Sequence, residues 1–331
     1  MACCLSWHAK IFAFFGIGVG LLGIGTFTQV NGISSAVNNF FDSNNAWTVS
    51  LFGRTYSWTV VISCLILTFC VALVLIGGIQ RISKVAQVIV PFMAATYFLA
   101  GILIILFNIT DVPAAILTIV QSAFGLKAAA GGALGAMVVA MQKGIARGIF
   151  SNEAGLGSAP IAAAAARTNE PVRQGLVSMT ATFIDTIIIC SITGIAIVLT
   201  GAYDMGLEGV AVTTKAFQLG LPFPDGVASF ILMLCLVFFA FTTILGWDYY
   251  SERCLEYLTN GKKKCIKAYR WIYILCVFIG PYMTVSAVWT IADIFNGLMA
   301  IPNLIALVAL NGVVAKETKD YLDRIKKKEI D

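Results

Sequence analysis

The sequence predicts an all-α polytopic membrane protein with about eight membrane-spanning helices. Of its 331 residues, 59% are hydrophobic and only 12% are charged, and the mean hydropathy is +0.89. Soluble globular domains carry about 25% charged residues, so this composition excludes that class. Apolar stretches of roughly 20 residues match the length that a helix needs to cross the hydrocarbon core. The absence of strand-period alternation argues against a membrane barrel.

Eight segments have the length and hydrophobicity of spans. They are residues 10–37, 58–79, 85–108, 141–166, 172–201, 226–250, 268–288 and 292–314. The first contains Gly16, Gly18, Gly20, Gly23 and Gly25. Because small residues let membrane helices approach each other closely, we expect this span to be an inner helix.

Four further segments, three helices and one loop, are predicted to lie at the surface. Residues 111–125 and 128–140 are too polar or too rich in small residues to span, and we expect surface or re-entrant helices on the outer side. A similar outer helix is expected at 206–219, and a basic cytoplasmic loop at 260–270. No signal peptide is expected, because the first apolar stretch is too long and lacks a clear cleavage site.

The distribution of basic residues predicts the orientation. Lys and Arg accumulate in short cytoplasmic loops. If both termini are inside, the only basic residues on the outer side are Arg54, Lys127, Lys143, Arg147 and Lys215. We therefore predict a multi-pass protein of the cell membrane with its N- and C-termini inside.

The fourth span is interrupted by a polar, glycine-containing stretch from Phe150 to Pro160. Lipid offers no hydrogen-bond partners to an irregular backbone, so such a break must be received by protein or by a water-filled cavity. Interrupted helices are also the best sequence indication of a transporter's substrate site, because the half-helix ends present unpaired N–H and C=O groups. The break therefore predicts a transporter.

Three acidic residues lie within predicted spans, where a charge costs at least about 2.5 kcal/mol and suggests a function. Glu153 lies inside the break, where its carboxylate can either stabilise the start of the inner half-helix or contact an ion. Asp185 needs a polar partner and is expected to brace the broken helix without contacting ligand. Asp248 lies near the inner end of the sixth span, where water can reach it.

Polar residues of the sixth and first spans are candidate ligand contacts. Thr243 and Trp247 share a helix face at i,i+4 spacing. The hydroxyls of Thr242 and Thr243 are hard ligands suited to Na⁺, although threonines in membrane helices more often bond to their own helix. Gln29 is either a hydrogen-bonding link between helices or a substrate contact.

Enzyme chemistry has little support in this sequence. Its one histidine is His8, and neither an HExxH metal motif nor a GxSxG nucleophile elbow occurs. The cysteines show no metal or redox spacing, although Cys3 and Cys4 are a weak candidate for palmitoylation. No enzyme activity, organic cofactor or nucleic-acid partner is expected.

Four motifs resemble the alanine or glycine:cation symporter family. They are QKGIARGIFSNEAGLGSAPI at 142–161, PVRQGL at 171–176, GWDYYSERC at 246–254 and ADIFNGLMAIPNL at 292–304. The matches are long, ordered and spread over much of the chain. The resemblance implies cation-coupled uptake of alanine or glycine across the lipid bilayer, with Na⁺ the expected coupling ion and H⁺ left open.

The resemblance also implies a leucine-transporter-like fold of two inverted five-helix repeats. Residues 1–108 resemble the last three helices of the first repeat, and residues 141–314 the second repeat. Residues 109–140 then form the outer surface helices and residues 315–331 a basic cytoplasmic tail. The first helices of the family pattern have no counterpart in this chain, so it resembles an N-terminally truncated member, and we expect its Na⁺ site to be incomplete.

Carried over position by position, the resemblance assigns the site residues. Substrate would contact Gln29, Phe150, Ser151, Asn152, Gly155, Thr243 and Trp247, and Na⁺ would contact Thr242 and Thr243. Glu153 and Asp185 would have structural or gating roles. The bulk of Phe150 and Trp247 favours a small neutral amino acid. Two alternatives remain open, a non-transporting fragment of such a symporter and, more remotely, a channel.

Overall fold

The computed structural model describes residues 2–51, 53–124 and 132–327, and these are almost entirely helical. The first part contains α1 (Ala2–Leu22), α2 (Phe27–Phe41), α3 (Trp58–Ile76), α4 (Ile79–Phe107) and α5 (Val112–Ala123). The second contains α6 (Ala133–Asn152), α7 (Ala159–Ala163), α8 (Pro171–Phe183), α9 (Ser191–Leu199), α10 (Val210–Gly220), α11 (Asp225–Thr259), α12 (Lys263–Ile279) and α13 (Val285–Lys326). The all-α prediction is confirmed.

Among the described residues, one π-helical segment, two short 3₁₀ helices and one hairpin complete the description. A π-helical segment, Ile184–Cys190, joins α8 to α9. An antiparallel hairpin of β1 (Thr48–Leu51) and β2 (Arg54–Ser57) follows α2. Asp42, just after α2, holds this hairpin, since its carboxylate accepts hydrogen bonds from the Ser57 hydroxyl and the Ala46 N–H, each over 2.7 Å.

Six segments in the described part of the chain are long and apolar enough to cross a membrane. They are Ser6–Phe41, Trp58–Ile76, Ile79–Phe107, Pro171–Leu199, Asp225–Thr259 and Val285–Lys326. A polytopic membrane protein is therefore confirmed. The predicted span at 268–288 corresponds to α12, which has only 17 residues, and the span at 141–166 corresponds to two shorter helices. The inverted-repeat relationship and its domain boundaries stay predictions.

The structure corrects several predicted boundaries. The first span is not one continuous helix, because the chain leaves helical geometry between Leu22 and Phe27. Residues 133–140 form the start of α6 rather than a separate surface helix. The basic loop predicted at 260–270 is shorter than expected, because α12 begins at Lys263. Helices at 112–123 and 210–220 match the predicted surface helices, whereas Lys127 lies outside the described residues.

The glycine-rich first helix is an inner helix, as predicted. Helix α1 packs against both α11 and α13. A Cβ atom on Gly18 would lie 2.3 Å from the ring of Phe295, and one on Gly20 would lie 2.3 Å from the Ser251 hydroxyl. The glycines therefore permit a contact between helices that any larger residue would obstruct.

The largest buried cluster joins α2, α3, α11 and α12. Its fully buried members include Val30, Val71, Ile244 and Tyr273, each with 0% of its surface exposed. Close packing of this kind fixes the rotation of α11 about its axis. It therefore determines which side chains of α11 face α1 and which face α12.

Candidate functional site

The predicted break lies between α6 and α7. Helix α6 ends at Asn152, and Glu153 follows in the left-handed region with φ 55°. Gly155 and Gly157 also have positive φ, at 81° and 90°. A Cβ on Gly157 would lie 2.6 Å from the ring of Phe12 and 2.8 Å from the Asn303 side chain, so glycine is required there for space as well as for conformation.

Polar side chains at the end of α6 are held by the π-helical segment. The Ser151 hydroxyl donates to the Asp185 carboxylate, with its oxygen 2.9 Å and 2.7 Å from the two carboxylate oxygens. The Asn152 amide donates to the Thr186 hydroxyl over 2.8 Å. Because π-helical turns are frequent at functional sites, the placement of both acceptors in this segment makes the contact part of a candidate site.

Asn152 also stabilises the break itself. Its side-chain oxygen accepts the backbone N–H of Ala154 over 2.9 Å. From the other side, the Asn303 amide of α13 donates to the Gly155 carbonyl over 2.9 Å. These contacts satisfy backbone groups that the interruption of the helix removes from the regular pattern.

The Glu153 carboxylate lies at the centre of a second set of contacts. One of its oxygens accepts from the Ser158 hydroxyl over 2.5 Å, and the other accepts from the indole N–H of Trp247 over 2.9 Å. Glu153 therefore joins the two ends of the break to α11.

Another break, which the sequence analysis missed, separates α1 from α2 at residues 23–26. Because it comes earlier in the chain, we call it the first break and the one between α6 and α7 the second break. Backbone carbonyl groups at this break accept hydrogen bonds from nearby side chains and from a tyrosine of α12. The Thr26 hydroxyl donates to the Leu21 carbonyl over 2.5 Å, and the Gln29 amide donates to the Ile24 carbonyl over 3.1 Å. The Tyr273 hydroxyl lies 3.2 Å from the Gly25 carbonyl and 2.7 Å from the Ile244 carbonyl.

Trp247 lies between the two breaks. Its side chain is 2% exposed, and a Cβ on Gly25 would lie 2.6 Å from the Trp247 Cβ. Its indole reaches Glu153 in the other break. Ile24 from the first break and Leu156 from the second belong to the same buried cluster as Trp247. The two interruptions therefore meet at one side chain of α11.

The predicted sodium ligands are close to this tryptophan along α11. The Thr243 hydroxyl donates to the Phe239 carbonyl over 2.9 Å, and the Thr242 hydroxyl lies 2.9 Å from the same carbonyl. Both side chains therefore bond to their own helix, as threonines in membrane helices commonly do. Each oxygen keeps acceptor capacity for a cation.

Phe150 packs against a separate cluster that contains an aromatic ring and an ion pair. Its ring lies 4.7 Å from the ring of Trp289, and the Arg147 guanidinium lies 4.2 Å from the centre of that indole. Arg147 also pairs with Asp293 over 2.8 Å. Phe150 additionally packs on the Trp247 cluster, so it connects that cluster to α13.

The structure thus brings most of the sequence-predicted residues together. Ser151 and Asn152 donate to Asp185 and Thr186 of the π-helical segment, and the next residue along the chain, Glu153, accepts from Trp247. Gln29 lies in the first turn of α2, directly after the first break. The sequence analysis did not single out Tyr273 or Asn303, whose side chains support the two breaks, although Asn303 lies within a motif noted for its resemblance.

A bundle of apolar helices in which two interrupted helices meet is the architecture of a membrane transporter. The sequence comparisons identify the class: the model of the sodium:alanine symporter family matches residues 2–331, and this chain belongs to that family. The family consists of symporters rather than enzymes.

Three relatives illustrate the similarity. An uncharacterized transporter of Haemophilus influenzae is 51% identical over 324 residues, which cover 97% of this chain and 67% of the relative. The sodium/alanine symporter AgcS of Methanococcus maripaludis is 43% identical over 322 residues, 96% of this chain and 65% of the relative. The probable sodium/glutamine symporter GlnT of Bacillus subtilis is 40% identical over 283 residues, 85% of this chain and 58% of the relative. The chain thus matches about two thirds or less of their lengths.

Proposed function

We propose that this chain mediates symport of a small neutral amino acid, alanine or glycine, with Na⁺ as the coupling ion. The observation that carries the proposal is the position of Trp247, which packs on Gly25 in one break and donates to Glu153 in the other. Half-helix ends present backbone N–H and C=O groups to ligands. A substrate bound where two breaks meet can therefore influence both interrupted helices at once.

The side chains around the breaks favour a small substrate. Phe150 and Trp247 both pack in or on the cluster that contains Leu156, and these rings leave little room for a substrate side chain. The substrate backbone would contact Ser151, Asn152 and Gly155. One relative is named a sodium/alanine symporter and another a probable sodium/glutamine symporter, so the names of the relatives do not agree on one substrate. We therefore base the choice of alanine or glycine on the size of the two rings beside the breaks.

The cation site is proposed at Thr242 and Thr243. Hydroxyl oxygens are hard ligands, and each of these hydroxyls donates to its own helix and so can turn a lone pair to a cation. The two residues lie four or five positions before Trp247 on α11. A cation bound to them would therefore be coupled to the tryptophan through one rigid helix. Gln29 is proposed to contact substrate from the first turn of α2, next to the first break.

Transport would proceed by alternating access around this site in the cell membrane, with both termini on the cytoplasmic side. Cation and substrate each help to order backbone that the other uses, so binding of one increases the affinity for the other. The Ser151–Asp185 contact would link the ordered break to the continuous helical segment formed by α8, the π-helical turns and α9.

The test is uptake of labelled alanine by liposomes that contain the purified chain. An inward Na⁺ gradient should drive accumulation above the external concentration, and an ionophore that dissipates the gradient should abolish it. Replacing Na⁺ by choline at constant pH, and separately imposing an inward H⁺ gradient, distinguishes the two coupling ions. Equal uptake into liposomes with and without protein would contradict the proposal.

A further inference from the structure

Asp248 is a buried acidic residue on α11 that the proposed transport site does not use. Its place near the inner end of the span suggested access to water, yet it is only 2% exposed. Its Oδ1 atom is buried and has no hydrogen-bond partner among the described residues. A buried carboxylate without a donor is costly, because it loses its contacts with water and gains none in exchange. The charge of this group therefore has to be compensated or removed.

The charged neighbours of Asp248 are already paired with each other. Glu252, one turn farther along α11, is buried and accepts from Nε and Nη2 of Arg270 over 2.6 Å and 2.9 Å. It also accepts from Arg253 over 2.8 Å, and Arg253 pairs in addition with Glu256. Two carboxylates and two guanidinium groups thus balance without Asp248. An ionised Asp248 would add a negative charge that this cluster does not compensate.

The other elements around Asp248 supply no cation paired with it in the described part of the chain. From α12, the Tyr269 hydroxyl donates to a serine of α11 over 2.5 Å, and the Tyr273 hydroxyl donates to a carbonyl of α11 over 2.7 Å. After the turn between α3 and α4, the Arg81 guanidinium donates to a carbonyl of α3. From α1, the residue that packs closest to this part of α11 is the uncharged Gly20.

We propose that Asp248 is a proton-binding site and that its carboxyl group holds a proton at neutral pH. The proton removes the uncompensated charge and leaves the neighbouring ion pairs balanced. A metal cation fits less well, because it needs several oxygen ligands, whereas both Glu252 oxygens already accept from guanidinium groups. Asp248 directly follows Trp247, so this proton is bound next to the side chain that contacts both breaks.

The first test is infrared spectroscopy of the purified whole chain and of Asp248→Asn at pH 7. A protonated carboxyl group has a carbonyl stretching band that is separate from those of carboxylates and amides, so we expect intensity in this band to be lost in the variant. Asp204→Asn, at an exposed position, is the matched control and should retain it. If the Asn variant does not fold, Asp248→Ser gives the same comparison. An unchanged band in the Asp248 variant would overturn the inference.

The pH dependence of stability is an independent readout. The unfolded chain releases the Asp248 proton above about pH 3.9, whereas the folded chain keeps it. The folded state therefore binds one more proton and loses stability as the pH rises, and the Asn variant lacks this loss. Relative to wild type, the folding constant of Asp248→Asn should rise about tenfold per pH unit between pH 5 and pH 6.5. A ratio that stays constant or falls would mean that Asp248 is ionised in the folded protein.

The effect on transport rests on the proposed function. Loss of the proton would leave a buried charge beside Trp247, so wild type should lose most of its Na⁺-driven alanine uptake between pH 7 and pH 9. Asp248→Asn is neutral throughout and should lack this loss, whereas Asp204→Asn should behave like wild type. Parallel pH profiles for wild type and Asp248→Asn would contradict the link to transport. An absence of uptake at every pH, with the infrared and stability results as expected, would refute the proposed symport and support the proton site.

Discussion

The indole N–H of Trp247 donates a hydrogen bond to the Glu153 carboxylate over 2.9 Å. The two residues are 94 positions apart in the sequence, and the contact joins the middle of α11 to the break after α6. Because Trp247 also packs on Gly25, this bond helps to hold the two interrupted helices relative to each other.

Replacing Trp247 by phenylalanine should loosen this junction. The substitution keeps an aromatic ring but leaves one Glu153 oxygen without its donor, so we expect a loss of about 1 to 3 kcal/mol in stability and a loss of alanine uptake. Thermal unfolding in detergent and liposome uptake measure the two effects. Trp271→Phe, at a position that is 65% exposed, is the matched control and should change neither. An unaltered melting temperature in the Trp247 variant would contradict the role assigned to the bond.

Alanine substitutions at three glycines should have graded effects. Gly157→Ala combines positive φ with overlaps against Phe12 and Asn303, whereas Gly155→Ala has positive φ but its nearest neighbour lies 3.6 Å away. We expect a cost of about 1 to 3 kcal/mol from the backbone at each position, and a larger total at Gly157. Gly175→Ala, in a helix with open space around it, should be neutral or slightly stabilising. Equal melting temperatures for all three would refute this ranking.

Replacing Asn152 by alanine should abolish uptake while the protein continues to be expressed. The substitution removes the donor to Thr186 and the acceptor for the Ala154 N–H, so the break loses its link to the π-helical segment and part of its internal support. Thr186→Val removes only the first contact and should retain part of the activity. Expression is measured by quantitative blotting of membranes. Normal Na⁺-dependent uptake by the Asn152 variant would contradict the assignment.

The Glu170–Arg324 pair should make the attachment of α13 depend on pH. The Arg324 guanidinium donates to both Glu170 oxygens over 2.9 Å and 2.8 Å, and these hydrogen bonds hold the pKa of Glu170 below its ordinary value of 4.5. A lowered carboxylate pKa means that the stabilisation is present above about pH 4.5 and is lost as the pH falls through the lower, folded-state pKa.

The measurement is the melting temperature of the wild-type chain and of Glu170→Gln between pH 3 and pH 8. The difference between them should be small, because the pair is partly exposed, present at neutral pH and absent at the acidic end. Glu208→Gln, in the exposed turn before α10, should behave like wild type throughout. A difference that persists unchanged to pH 3 would contradict the ionic origin of the attachment.

The sequence predicts the second break correctly because its residues are incompatible with a regular lipid-exposed helix. Asn152, Glu153, Gly155 and Gly157 introduce polar groups and positive φ into an apolar stretch. The first break could not be predicted in this way. Gly23, Gly25 and Thr26 are compatible with a helix, and the stretch Ser6–Phe41 keeps the hydropathy of an ordinary span.

The first break is identified only by its tertiary contacts. Trp247 packs against Gly25, and the Tyr273 hydroxyl is positioned to satisfy the carbonyl that the interruption frees. Both partners come from helices more than 200 residues away in the sequence, so no local pattern contains them. The π-helical segment around Asp185 was missed for a similar reason, since its residues read as a regular apolar helix.

Helix α13 has 42 residues, so it is about 63 Å long, roughly twice the thickness of the hydrocarbon core. Pro302 interrupts its hydrogen bonding beside Asn303, the residue that holds Gly155. Arg324 lies about 33 Å farther along the axis, so a bend of about ten degrees at Pro302 would displace it by about 6 Å. If α13 bends at Pro302, the displacement is therefore largest at its far end, where a label at the Arg324 position would report it.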